Sequence, residues 1–314
     1  MQEENTTFIL EFHLLGFQNL HSLKIVFFIF LLVTHIATLS VNIFLLITVR
    51  FHRHLHSPMY FFLTQLASSE MLFTTTIIPK LLHMTLREGI TVSVSSCIIQ
   101  LYLFSVSTNA ESIFLTVMSY DRYLAICYPL RYSSLMDFRS CLQLAIISWT
   151  FSFISTLIVI IQICSLQFCG SNVIDHYYCD LTPVLEHSCS DVFFVRLQIF
   201  VFSIPIAVLP FVFIIITYIR IVIAILKIPS TTGKQKAFST CSSHLMVVCI
   251  YYLTLITIYV IPSGGSSWGL NKFLSLLYTV VTPLFNPIIY TLRNQEIRSI
   301  IENKIFKQKK LVHF

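Results

Sequence analysis

Seven apolar runs, each long enough to cross a bilayer, dominate this 314-residue chain. About 20 consecutive apolar residues span ~30 Å of hydrocarbon as a helix. The runs cover residues 25–49, 58–79, 93–120, 140–163, 197–219, 237–261 and 273–291, and the acids inside them are Glu70 and Glu111 alone. Charged residues make up 11% of the chain and hydrophobic ones 56%, too little charge to coat a soluble surface. The connections are short except for 164–196, which leaves no room for a large soluble domain. No internal repeat, low-complexity tract or phosphate-binding loop is present. The first 16 residues carry Glu3, Glu4 and Glu11 and lack a basic leader, so the first run is expected to act as an uncleaved signal-anchor.

Lysine and arginine placement predicts the orientation. With the N-terminus outside, fifteen of the twenty fall on the cytoplasmic side: Arg50 and Arg53; Arg122, Arg131 and Arg139; Arg220, Lys227, Lys234 and Lys236; and six from Arg293 to Lys310. Lys24, Lys80, Arg87, Arg196 and Lys272 fall outside. The net charge of +6 therefore reflects topology and the anionic inner leaflet, not nucleic-acid binding. The expected fold class is an all-α membrane protein with a seven-transmembrane-helix bundle. Residues 1–24 form an extracellular N-terminus, 25–291 the transmembrane domain and 292–314 a cytoplasmic tail. In that tail Ile297, Ile300, Ile301 and Ile305 share one face of an amphipathic helix along the inner leaflet. Asn5 begins a glycosylation sequon, Asn5-Thr6-Thr7. Four of the nine cysteines, Cys97, Cys169, Cys179 and Cys189, are placed outside, where disulfides persist. Four cysteines allow three pairings, and the sequence alone does not choose among them.

Four longer motifs carry a family resemblance. Met118-Ser119-Tyr120-Asp121-Arg122-Tyr123-Leu124-Ala125-Ile126-Cys127 resembles the MAYDRYVAIC signature of odorant receptors, which are rhodopsin-like G-protein-coupled receptors. Leu55-His56-Ser57-Pro58-Met59-Tyr60 and Lys236-Ala237-Phe238-Ser239-Thr240-Cys241 are similar to that family's second- and sixth-helix signatures. Pro283-Leu284-Phe285-Asn286-Pro287-Ile288-Ile289-Tyr290 resembles its seventh-helix motif. The resemblance runs from the first span to the tail. The chain departs from the family at Glu70, where aspartate is usual, at Ala67, and at Leu253, where glycine is common. Leu253 is expected to narrow the pocket or stiffen the sixth helix. The pairing expected for the outer cysteines is Cys97–Cys179, pinning the long loop over the bundle, and Cys169–Cys189, closing a loop within it.

The resemblance implies a receptor for a small, mostly apolar odorant that couples to a stimulatory, olfactory-type heterotrimeric G protein and raises cyclic AMP. No enzyme activity, nucleic-acid partner or structural metal is implied; the partners are odorant, G protein and membrane lipid. Arg122 is a permanent cation in a partly dry place, and it is expected to pair with Asp121 at rest and release when the helices open. The signature continues into Tyr123. Asn286-Pro287 interrupts the helical ladder of the seventh span. Tyr218 and Tyr290 are expected to face inward, and Lys236 to face the G protein. Glu70 and Glu111 are costly in the membrane unless paired, protonated or hydrated. With Asn286 they form a pocket that shares a proton, binds sodium or makes a neutral packing pair; sodium is the one cofactor this admits. Helical spacing places Phe104, Ser105, Thr108 and Asn109 on one face of the third span. Phe202, Ser203 and Ile206 of the fifth, Tyr252, Leu255 and Tyr259 of the sixth, and Leu276 and Thr279 of the seventh complete an apolar, hydroxyl-bearing ligand site. Phe104 stands where amine receptors carry aspartate. A transporter or channel would need inverted repeats or a polar pore. The adjacent Ser243 and His244 lack the orienting acid that a hydrolase needs.

Overall fold

The computed structural model describes residues 8–18, 23–87, 89–259, 268–293 and 297–300. Asn5, Ile301 and Ile305, and the side chains of Lys236 and Tyr259, lie outside the described residues. Long helices follow the apolar runs: α1 (Lys24–Phe51), α2 (Pro58–Arg87), α3 (Val94–Cys127), α5 (Phe138–Cys164), α7 with α8 (Phe193–Ser203, Leu209–Leu226), α9 (Thr231–Tyr259), and α10 with α11 (Trp268–Leu276, Thr282–Arg293). Among the described residues, five are long and apolar enough to cross a membrane by length and composition: Lys24–Phe51, Val94–Cys127, Phe138–Cys164, Phe193–Leu226 and Lys272–Tyr290. The others, α2 and α9, have 30 and 29 residues. Their lower hydropathy comes from polar groups turned inward: Ser69, Glu70 and Thr74 on α2, Ser243 and His244 on α9, all buried.

Several helices outrun their apolar cores. The third apolar run ends at residue 120, yet α3 continues to Cys127 and carries the fully buried Asp121 within it. Residues 58–79 extend to Arg87 straight through Pro79. The two turns beyond the proline are anchored by Lys80, whose Nζ donates to the Ser96 Oγ at 3.0 Å. The fifth and seventh spans each contain an unanticipated five-residue π-helical segment, Ile204–Val208 and Leu277–Val281. Pro205, lacking an N–H, opens the first.

Helix α3 is the central post. It packs against α2, α5, α8 and α9, while α1 packs on α2 and α11. The outward faces of α1, α5 and α8 expose Ile, Leu, Val and Phe side chains, which lipid rather than water would cover. Short caps end the elements. The Ser93 hydroxyl accepts from Ser96 N at 3.2 Å at the start of α3, and Asp137 accepts from Ser140 N at 2.9 Å at the start of α5. Between them α4 (Pro129–Leu135) opens with proline in its first turn.

The end of the bundle away from Arg122 is closed by a small sheet that the apolar pattern did not announce. Strand β1 (Glu11–Leu14) lies between β2 (Ile90–Ser93), antiparallel, and β3 (Val173–Ile174), parallel. Gly16 follows β1 with φ of +62°, and a Cβ there would run into Met84. The long loop is structured by the sheet, by the short helix α6 (Leu181–Glu186) and by two disulfides. Cys97 joins Cys179 with Cα atoms 5.4 Å apart, and Cys169 joins Cys189 with Cα atoms 5.8 Å apart, one of the three pairings the sequence allowed. In the tail, Ile297 and Ile300 are buried while Arg298 and Ser299 are exposed, as an amphipathic turn requires.

Candidate ligand chamber and coupling end

The Cys97–Cys179 bond fixes the residues just before Cys179 over the first turns of α3. Tyr177 and Tyr178 consequently point into the bundle and are almost fully buried. The Tyr177 hydroxyl meets Thr279 Oγ1 at 2.9 Å. The ring of Tyr178 lies 5.2 Å from Phe104, and Phe104 lies 5.3 Å from Phe73. One turn deeper, Tyr278 donates to Thr108 Oγ1 at 3.2 Å and Tyr251 donates to the Thr108 carbonyl at 2.8 Å. Ser112 and Tyr252 share a hydrogen bond of 3.0 Å, and the Ser112 hydroxyl also reaches the Ile206 carbonyl at 2.6 Å. The cluster is aromatic and apolar with a few convergent hydroxyls, the make-up of small-molecule sites. His176, stacked at 4.8 Å on Tyr177, forms its lid. Burial, with Lys272 nearby, pushes the His176 imidazole down to about 3.

Of the expected ligand residues, the structure gathers Phe104, Thr108, Tyr252 and Thr279, with Leu276 buried beside them and Leu255 packed at the core's edge. Others turn away. Asn109 donates to Thr156 Oγ1 at 3.0 Å and so ties α3 to α5. Ser203 bonds back to the Phe200 carbonyl at 2.7 Å on its own helix. Ile206 contributes its carbonyl, which Pro210, lacking an N–H, leaves without its usual donor four residues on. Ser105 and Phe202 are half-buried. Leu253 is 63% exposed, so it cannot narrow the chamber as expected; a residue one step from Tyr252 points about 100° away around the helix. Tyr177, Tyr178, Tyr251, Tyr278 and Ser112 were missed. The adjacency of Tyr177 and Tyr178 to Cys179, and the four-residue step from Thr108 to Ser112, were the available signals.

At mid-depth Glu70 and Glu111 are buried. Asn286 donates to Glu111 Oε1 at 3.0 Å, and Glu70 lies within hydrogen-bonding reach of Asn286 and Asn42. Three buried oxygens here, Glu70 Oε1, Asn42 Oδ1 and Asn286 Oδ1, have no hydrogen-bond donor among the described residues. A cluster so rich in acceptors is satisfied by added protons, by buried water or by a hard cation. Among the described residues no three His, Cys, Asp or Glu side chains are placed to hold a metal ion.

At the other end of α3, Arg122 pairs with the fully buried Asp121; its Nε donates to Asp121 Oδ2 at 2.9 Å. Tyr132 of α4 donates to Asp121 Oδ1 at 2.8 Å. Burial, reinforced by the Asp121 carboxylate, pushes the Tyr132 hydroxyl up, so it remains a donor. Tyr123 does not join this lock; it faces outward, 5.5 Å from the Tyr128 ring. Tyr218 stacks on His244 with 2.7 Å between hydroxyl and Nδ1. Tyr290 is buried one turn past Pro287, and its hydroxyl has no hydrogen-bond partner among the described residues.

A seven-helix membrane bundle with a disulfide-pinned loop over an aromatic chamber defines a multi-pass receptor, and sequence comparison gives its kind. The family model described as olfactory receptor matches residues 29–309. Human olfactory receptor 11L1 is 42% identical over 309 residues, covering 98% of this chain and 96% of its own. Rat olfactory receptor 1468 is 39% identical over 309 residues, covering 98% of each chain. Human olfactory receptor 11A1 is 42% identical over 293 residues, covering 93% of each. The chain belongs to the olfactory receptor family, whose members are multi-pass receptors of the plasma membrane rather than enzymes.

Proposed function

We propose that this receptor binds a small, mostly apolar odorant in the chamber around Phe104, Thr108, Tyr252 and Thr279 and activates a stimulatory, olfactory-type G protein, raising cyclic AMP. The N-terminus, residues 1–24, is outside and carries sugar at Asn5. Residues 25–291 form the transmembrane domain, and 292–314 lie along the inner leaflet. The observation that carries this reading is the continuity of α3, which holds the chamber at Phe104 and the closed Arg122–Asp121 pair on one rigid rod. Eighteen residues separate the two, ~27 Å along a helix, so ligand and G protein never touch. Signalling is then a population shift between two bundle packings.

In the closed packing, Tyr132 and Arg122 share the Asp121 carboxylate. Odorant binding favours a packing in which Arg122 is released, Tyr218 leaves His244, and Tyr290 meets it. Lys236, at the start of α9, adds positive field for the partner's C-terminal helix. The Glu70–Glu111–Asn286 cluster takes up protons or sodium, either of which supplies the positive charge that its orphaned oxygens lack, and so biases the two packings. Odorant-evoked cyclic AMP, measured at equal surface receptor across an odorant panel, tests the reading. Arg122→Ala should be silent at every agonist dose, and a mutant signalling like the parent would overturn the switch.

A further inference from the structure

Away from the chamber, a cavity of about 710 Å³ opens between α1, α2 and α5 at the Arg122 end of the bundle. Its floor is α2, through Pro58, Phe61 and Thr64, and its walls are Leu46 and Val49 of α1 and Phe138 of α5. The lining is mostly apolar, with Ser57 and Thr64 among it, and the volume is that of a site for a molecule with one or two hydrocarbon chains. The mouth is different in character. Arg50, in the last turn of α1, and His56 line it. Arg53 and His54 sit on the short turn whose Leu55 also lines the cavity, and Arg139 adjoins Phe138. Asp137, next to Phe138 in the chain, is engaged as the cap of α5, and its bonds to Ser140 hold its carboxyl below the usual range; Asp121 is engaged with Arg122 and Tyr132. Among the described residues neither Arg50 nor Arg53 belongs to an ion pair.

We propose that this groove binds one anionic phospholipid of the inner leaflet, with its acyl chains against Leu46, Phe61 and Phe138 and its phosphate on Arg50 and Arg53. The leaflet rests on the orientation given above; the site itself does not. Apolar walls closed by basic residues at the membrane surface are the two halves of such a ligand. A neutral sterol would fill the walls and leave the arginines without a task. An odorant would find no reason to seek the cationic mouth. The bound lipid would bridge α1 and α5 across α2, on the opposite side of the bundle from α9, and steady the static half against which the other helices move.

The test uses the full-length receptor in phosphatidylcholine nanodiscs carrying a trace of acyl-photoactivatable phosphatidylserine or phosphatidylcholine. The serine lipid should label peptides spanning residues 46–51 and 136–141. Unlabelled phosphatidylserine should compete and cholesterol should not. Arg50→Gln, an exposed change that leaves packing alone, should raise the competitor concentration needed by about fivefold, and Arg50→Gln with Arg53→Gln by roughly 25-fold. Thr64→Phe, which fills the floor, should remove the label from both probes while the receptor stays monodisperse. Equal labelling by phosphatidylcholine, competition by cholesterol, or labels unchanged in these variants would overturn the proposal. Orientation is read separately: an N-terminal epitope tag should stain intact cells and a C-terminal tag should not. Reversed staining would refute the leaflet and the receptor topology while leaving the label map intact.

Discussion

Removing the Tyr132 hydroxyl tests the lock at the Arg122 end without touching the arginine. In Tyr132→Phe the ring keeps its place and Asp121 Oδ1 loses the donor now 2.8 Å away. A hydrogen bond to a charged acceptor contributes ~1.5–3 kcal/mol, and Asp121 is fully buried, so water cannot readily replace it. If opening breaks this bond, the closed packing alone loses that energy, and the open-to-closed ratio rises about 10- to 100-fold. A receptor resting with roughly 1% open would then rest at about 10–50% open. Basal cyclic AMP without odorant, at matched surface receptor, should rise severalfold or more, and the maximal odorant response should change little. Basal signalling within error of the parent, from a mutant of unchanged thermal stability, would show that Tyr132 does not hold the closed state.

Cys97→Ser opens a closure of 82 residues and Cys169→Ser one of 20; loop entropy puts the losses near ~4.5 and ~3.3 kcal/mol. Surface staining should fall further for the former, and non-reducing peptide maps should link Cys97 to Cys179. Glu70→Gln and Glu111→Gln should each change basal activity or its dependence on sodium and pH while preserving the rank order of odorants; unchanged signalling in both would leave the pair a packing role only. His176 titrates near 3 in the fold because it is buried, against about 6.5 when unfolded. The unfolded state therefore binds more protons below pH 6.5, and stability falls with acidity, on the order of 2 kcal/mol by pH 5. Thermal midpoints of the purified receptor between pH 7 and 5 should show this drop, and His176→Phe should flatten it.

The apolar runs made the seven spans legible because lipid demands length and hydropathy before anything else. Helix ends were not legible. Pro79 reads as a stop, yet α2 continues because Lys80 finds Ser96 on the next helix, a contact 16 residues away. The lining of the chamber was half legible: the inward placement of Phe104, Thr108, Tyr252 and Thr279 follows from spacing, but Tyr177 and Tyr178 enter from a loop, and a loop has no period to read. Asn109 and Ser203 show the reverse failure, since a polar side chain on an inward face can satisfy a neighbouring helix or its own carbonyl instead of a ligand. The lock was legible in Asp121 and Arg122, not in Tyr132, which reaches them from α4.

Strand β1 is the middle strand of its sheet, so β2 and β3 are joined only through it. Its pairing of His13 with Val173 joins segments made far apart in time. At 5–20 residues per second, the ribosome emits the partner on the order of ten seconds or more after the strand itself. For that interval a segment synthesised first waits with one edge unpaired while four helices enter the membrane. The N-terminus is thus made first but paired on both edges only once four of the seven spans are in place, so its closure would mark the half-way point of assembly, with α7 to α11 still to come.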